Sequence, residues 1–326
     1  EIRQQGLTKS RMRKAGQYVK KDGMCISKFS LGTVQLGMNY GLGEFATKPS
    51  KSEAFRILNR AVELGVNTFD TANDYGDSEQ LIGQWLQTKP SDERPMVVTK
   101  IGPFDHSSPA VLKSDILRQA EACRKNLSVS CIDMLMVHDF EDYEQDTDVL
   151  EETFTEMKRT GLIRYSALSA YSRHNYNVLA ASGFDAVQIP LNVFDWGQIE
   201  NGGVSALERS GKIVFARSVY LQGLVFMKPD ELDPHMEFCA PYLKEYLQIC
   251  EEFGLSPDVL ALSFAISVPG ISSVVLGCQR LEQLEANGRL IDQTVHLSQT
   301  QMQRLHKTFT GIDPRVINPG VWFNHT

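Results

Sequence analysis

Residues 67–76 read NTFDTANDYG, an apolar strand-like run that ends on Asp70 and gives way to a polar turn carrying Tyr75. The same construction returns at 95–100, PMVVTK, ending on Lys100, and at 133–139, DMLMVHD, reaching His138. A fourth run, YSALSA at 165–170, also ends polar. Apolar runs of this length belong inside a sheet, yet each stops at a group that ionises or hydrogen-bonds. Reactive groups at one end of successive parallel strands are how an α/β active site is assembled.

Outward from these runs, FSLGT (29–33), AVQIPLN (186–192), KIVFARS (212–218) and SSVVLGC (272–278) complete a set of eight strand candidates. Segments of helical period lie between them. SKSEAFRILNRAVELG (50–65) opens with a capping box, Ser50 and Glu53, places Phe55, Leu58, Ala61 and Val62 on one face, and stops at Gly65. SEQLIGQWLQ (78–87), SPAVLKSDILRQAEACRKNL (108–127), DVLEETFTEMKRTG (148–161), RHNYNVLAASG (173–183), VSALERSG (204–211) and EFCAPYLKEYLQICEEFG (237–254) have the same character.

Eight strands alternating with helices predict a closed (β/α)8 TIM barrel; a doubly wound open sheet is the competing arrangement. Against the latter, no G-x-G-x-x-G follows the first strand, and LGTVQLGMNYG spaces its glycines differently. QYVKKDGMCIS (17–27) reads as a β-hairpin turning at Lys21-Asp22-Gly23, expected to cap the barrel bottom. Residues 1–16 are expected to form a polar N-terminal arm and 17–326 a single barrel domain. The inserts after the third and fourth strands, the stretch around 222–237 and the tail 311–326 are expected to crowd the other mouth.

The totals exclude several function classes. The 326-residue chain is 42% hydrophobic and 22% charged, ordinary for a globule with a large core, and its formal net charge of −7 recruits neither nucleic acid nor an anionic membrane. A basic cluster (Arg3, Lys9, Arg11, Arg13, Lys14, Lys20, Lys21) reads as a solvated arm or a binding patch. Six cysteines without C-x-x-C spacing read as reduced core thiols, and no apolar run is long enough to cross a bilayer. A cytoplasmic protein is expected, with no metal site; oligomeric state is not legible. His174, His296 and His306 are expected in solvent, while Trp196, Trp322 and Phe323 either line a pocket or pack against the barrel.

A tyrosine with pKa near 10 is a poor proton shuttle at neutral pH. A nearby lysine ammonium, anchored by a carboxylate, favours the phenolate, and a histidine opposite can orient a carbonyl oxygen. Asp70, Tyr75, Lys100 and His138 supply that set on neighbouring strand ends. It suits carbonyl reduction, and because no side chain delivers hydride, a nicotinamide cofactor is implied. Taken singly, each has a blander reading: a buried histidine, a snorkelling or Schiff-base lysine, a loop-capping aspartate, a packed tyrosine.

FDTANDYG, VVTK and DMLMVHDF, in this order, resemble the aldo-keto reductase superfamily, and the likeness runs from DGMCISKFSLGT (22–33) to LEQLEAN (281–287). The resemblance implies an NAD(P)H-dependent carbonyl reductase on a (β/α)8 barrel, acting on an aldehyde or ketone, with Tyr75 as acid/base, Asp70 and Lys100 as its tuning pair and His138 orienting the carbonyl. It also implies cofactor contacts at Ser169, where the family's following Asn is replaced by Ala170, and at Gln188 for the nicotinamide amide. Arg217 stands where the family often stacks an aromatic ring on the nicotinamide, followed by Ser218. Leu221 and Gly223 belong to a phosphate-covering loop, and Gly277, Gln283 and Asn287 to the adenosine end. Family habit favours NADP over NAD, although Gln279 and Arg280 offer no clean match to the basic 2′-phosphate residue. The tail VINPGVWFNHT resembles relatives acting on sugar-derived carbonyls. A nicotinamide-binding regulatory protein with little turnover, analogous to channel-associated members, is the alternative.

Overall fold

The computed structural model describes residues 18–21, 23–40 and 47–322. Most of the basic cluster, Asp22 of the expected turn and Phe323 lie outside them. A hairpin of β1 (Tyr18–Lys21) and β2 (Met24–Ser27) precedes eight strands: β3 (Phe29–Gly32), β4 (Thr68–Asp70), β5 (Met96–Ile101), β6 (Ile132–Val137), β7 (Ile163–Ser169), β8 (Ala186–Pro190), β9 (Ile213–Arg217) and β10 (Ser273–Gly277). β3 to β10 pair in parallel, each with its sequence neighbour, and β10 closes on β3, so the sheet is a barrel. This is the (β/α)8 architecture expected from the alternation of segments.

Side chains alternate across a strand, so one parity of each strand faces the lumen and the other the helices. Val98, Met134, Met136, Ala167, Ala186, Ile213 and Phe215 form the lumen cluster. Phe69, Val97 and Leu31 face outward, into a layer with Ile57, Leu58, Trp85 and Leu284. Two residues on from each lumen residue the parity is the same: Lys100 after Val98, His138 after Met136, Ser169 after Ala167, Gln188 after Ala186, Arg217 after Phe215. Asp70 pairs in register with Val98 and shares its face. The polar residues singled out in the sequence therefore crown one lumen at its C-terminal rim.

At the opposite end Met24 and Ile26 of the hairpin join the lumen cluster and plug the barrel bottom. Asn67 secures the plug: its Oδ1 accepts from Ser27 N at 2.7 Å and its Nδ2 donates to the Cys25 carbonyl at 2.8 Å.

The helix Lys51–Glu63 begins as expected, with Ser50 Oγ accepting from Glu53 N. The helices Thr147–Thr160, Gly203–Ser210 and Ala240–Phe253 each end at a glycine in the left-handed region, Gly161, Gly211 and Gly254. The helices that go unnoticed in the sequence reading include Pro257–Ser267, Leu281–Gln293 and Gln299–Phe309, along with shorter ones such as Phe140–Gln145. Val259 to Ala265 of the first are all buried, so it carries no amphipathic period. Trp196 and Trp322 pack rather than line a pocket: Trp196 lies against Phe264 and His306, and both indole N–H groups donate to carbonyls, of Val193 and Arg315. His174, expected in solvent, is buried. All six cysteines are free thiols. No helix among the described residues is long and apolar enough to cross a membrane.

Candidate active site

Lys100 Nζ donates to Asp70 Oδ1 at 2.7 Å and to the Thr71 carbonyl at 2.9 Å, and the lysine is 1% exposed. A buried ammonium is tolerated only when paired and hydrogen-bonded, and here it is both. The other Asp70 oxygen, Oδ2, accepts from Gln188 Nε2 at 2.7 Å. Above the pair, Lys100 Nζ stands 4.9 Å from the centre of the Tyr75 ring, and the His138 ring meets that ring edge-on at 6.0 Å. His138 Nδ1 lies 3.5 Å from Asp74 Oδ1. The structure thus brings Asp70, Tyr75, Lys100 and His138 to one point of one rim.

Burial pulls the Lys100 ammonium down, but Asp70 and Tyr75 together outweigh it and hold its pKa above the ordinary lysine value. For Tyr75 the balance differs from the sequence expectation. Lys100 does pull the phenol down, yet burial outweighs it and leaves the pKa raised. Taking a phenolate out of water costs more here than one already-paired ammonium returns. Burial, then the Lys100 charge, hold His138 below the ordinary histidine value. At neutral pH the site therefore presents a protonated tyrosine, a charged lysine and a neutral imidazole.

A cleft of about 1210 Å³ runs from this point across the ends of β7, β8, β9, β10 and β3. Asp70, Tyr75, His138, Ser169, Gln188, Arg217, Ser218, Leu221, Gly223, Gly277, Gln283 and Asn287 all line it, with Lys100 beneath its floor. Sequence reasoning misses much of the remaining wall, including Gln35, Tyr40, Asp74, Tyr171, Tyr220 and Phe226. Tyr171 directly follows the polar YSALSA run, the one signal that marked it. Tyr40, Tyr171 and Phe226 are exposed aromatics at the cleft.

Several of these residues are engaged locally. Gln283 Oε1 accepts from Gln279 N at 2.9 Å and Arg280 N at 3.2 Å, capping the helix Leu281–Gln293. Asn287 Nδ2 reaches the Gly277 carbonyl at 3.5 Å. The loop after β9 carries positive φ at Ser218 (61°), Leu221 (45°), Gln222 (51°) and Gly223 (92°). Non-glycine residues rarely adopt that region, and strain of this kind gathers at ligand clamps. Gln35 Oε1 and Tyr220 Oη are buried without a hydrogen-bond partner, and both residues line the cleft. Asp139, Glu141 and His174 draw together nearby, but both imidazole nitrogens are engaged: Nδ1 accepts from Tyr171 N at 3.0 Å and Nε2 bonds Glu141 at 2.8 Å.

A long cleft with orphaned polar atoms and a strained loop, beside a tyrosine over a buried ion pair at the top of a barrel, fits a carbonyl-reducing oxidoreductase. The Aldo/keto reductase family pattern matches residues 28–308, and the chain belongs to that family. Its members use nicotinamide cofactors and act on small-molecule carbonyls. The chain is 28% identical over 279 residues to the uncharacterized oxidoreductase YqkF of Bacillus subtilis, covering 80% of this chain and 89% of that protein. It is 25% identical over 311 residues to L-galactose dehydrogenase of Arabidopsis thaliana, covering 90% and 92% respectively. Its fold superposes on the glycerol dehydrogenase AKR11B4 of Gluconobacter oxydans with a TM-score of 0.72 at 22% identity, over 94% of this chain and 98% of that one.

Proposed function

We propose that this protein reduces an aldehyde or ketone to the alcohol with NAD(P)H, Tyr75 giving the proton. The observation that carries the reading is the buried Lys100–Asp70 pair, 2.7 Å long, with Lys100 Nζ 4.9 Å from the centre of the Tyr75 ring. The nicotinamide cofactor, when bound, supplies the hydride that no side chain here can. Tyr75 is protonated at neutral pH and so is in the form that donates. As negative charge builds on the carbonyl oxygen, the Lys100 ammonium stabilises the phenolate that Tyr75 becomes. A neutral His138 has one N–H to direct at that oxygen.

Ser169 and Gln188 would hold the nicotinamide amide; Arg217, Ser218, Leu221 and Gly223 would border the ring and phosphates; Gly277, Gln283 and Asn287 would take the adenosine end. The orphaned Gln35 and Tyr220 oxygens and the cleft's length support such a fit. NADP is proposed over NAD on family habit, with Gln279 lining the adenosine end of the cleft. L-galactose dehydrogenase, by its name, acts on a sugar, which makes sugar-derived carbonyls the first class to screen. The regulatory alternative drew on the basic arm, and nothing in the described residues adds to it.

Titrating the protein into NADPH and NADH while following cofactor fluorescence tests the reading; no change with either dinucleotide removes it. Tyr75→Phe is then expected to lower kcat by about 10²–10⁴, the usual worth of a general acid, with cofactor still bound. Turnover at the parent rate would refute the proton-donor role.

A further inference from the structure

Arg217 ends β9, and its side chain crosses the end of β8 to reach β7. Nη2 donates to the Ala170 carbonyl at 3.1 Å, Nη1 approaches Ser218 Oγ at 3.4 Å, and the guanidinium carbon lies 4.7 Å from the centre of the Tyr171 ring. Both acceptors are neutral. Among the described residues no carboxylate forms an ion pair with Arg217. The second guanidinium on Tyr171, that of Arg173 at 4.6 Å, is neutralised by Glu141. Of the acids lining the cleft, Asp70 is bound by Lys100 and Gln188, and Asp74, beside the neutral His138, has its side chain 58% exposed, where water screens its charge. Among the described residues Arg217 is therefore the one cationic side chain lining the cleft, without a fixed counter-ion and held by a backbone carbonyl and an aromatic face. His174 and Glu141 brace that face from behind through the Tyr171 backbone and Arg173.

The chemistry of hydride transfer fixes where a nicotinamide ring must lie. Its reactive carbon has to meet the carbonyl carbon whose oxygen takes the Tyr75 proton. Tyr75 and His138 face each other at that point, and Ser169, Gln188 and Arg217 line the same cleft at the neighbouring ends of β7, β8 and β9, with Gln188 in register with Ser169 and bonded to Asp70. The reduced ring is neutral, whereas the oxidised ring carries one positive charge. A planar guanidinium can lie against a neutral conjugated ring at little cost. Against a cationic ring in a half-buried cleft it repels, by an amount on the order of a tenfold change in affinity or more.

We infer that Arg217 sets the redox preference of the cofactor site, so that the cleft binds the reduced dinucleotide more tightly than the oxidised one and favours carbonyl reduction by letting the oxidised product leave. The inference rests on the nicotinamide-dependent reading above. The test is isothermal titration of the protein with the oxidised and reduced forms of the dinucleotide it binds. In the parent protein the oxidised form is expected to bind at least about tenfold more weakly. Arg217→Met should narrow that ratio about tenfold, and Arg217→Lys, which keeps the charge, should preserve most of it. Equal affinity for the two forms in the parent protein overturns the inference without any variant, and so does an unchanged ratio in Arg217→Met. Binding of both forms with equal affinity leaves the reductase reading standing while this inference fails. Binding of neither removes both.

Discussion

At the residue scale the protein depends on one buried charge being matched. Lys100 and Asp70 have side chains 1% and 8% exposed, so either alone would leave an uncompensated ion beneath the cleft. Lys100→Met is expected to destabilise the fold by about 3–5 kcal/mol, the usual cost of breaking a buried pair from one side. Chemical denaturation reads this directly, and a loss under about 1 kcal/mol would mean that water reaches Asp70. Burial, which that pair does not offset, keeps the proton on Tyr75 in the free protein. A single ammonium already shared with a carboxylate does not offset the burial of a phenolate; in the proposed mechanism the phenol ionises only as a substrate oxygen takes its proton.

At the scale of elements, the turn that carries Tyr75 is seated on the turn after β3. A Cβ at Gly37 would stand 1.9 Å from the Tyr75 carbonyl oxygen and 2.6 Å from Ser78 N. Both are backbone atoms, so Gly37→Ala must push the Tyr75 turn aside by roughly an ångström, a displacement that costs an active site about 10²-fold in rate. A steady-state kcat/KM matching the parent would show that the turn does not need this seat. A second joint links the loop after β5 to the helix Phe140–Gln145: His106 bonds Asp146 Oδ2 through Nδ1 at 2.5 Å and Asp142 Oδ1 through Nε2 at 2.9 Å. Burial lowers the His106 pKa, but the two carboxylates more than reverse this and leave it raised. A histidine whose folded pKa exceeds its unfolded value of about 6.5 contributes stability that is complete below that pH. The contribution disappears as pH rises through the folded value. The gap in urea midpoint between the parent and His106→Gln should therefore be wider at pH 5.5 than at pH 8.5; a gap independent of pH would deny the imidazolium.

At the scale of the whole molecule, the barrel separates stability from chemistry along its axis. The hairpin plugs the bottom with Met24 and Ile26, while every residue of the cleft sits at the top. Ile26 is fully buried, so Ile26→Ala is expected to cost about 2–5 kcal/mol in stability. Because the plug packs at the end of the lumen opposite the cleft, kcat for the folded variant should stay within about twofold of the parent. A large fall in kcat at full folding would show that the plug sets the rim's geometry.

The sequence by itself determined the barrel and the rim. Eight buried runs alternating with helices leave few topologies, and the two-residue period of a strand already places Asp70, Lys100, His138, Ser169, Gln188 and Arg217 on one face. Helix ends were legible where a local cap exists, as at Ser50 and Gly161, and the helix Pro257–Ser267 was hidden because complete burial erases its period. Only the tertiary structure decided the sign of the Tyr75 shift, the tie from Gln188 to Asp70, the burial of His174 and the cleft walls at Gln35, Tyr171 and Tyr220. Those facts depend on desolvation and on contacts between residues distant in the chain. Neither is a property of any local stretch of residues, and both arise when the barrel closes.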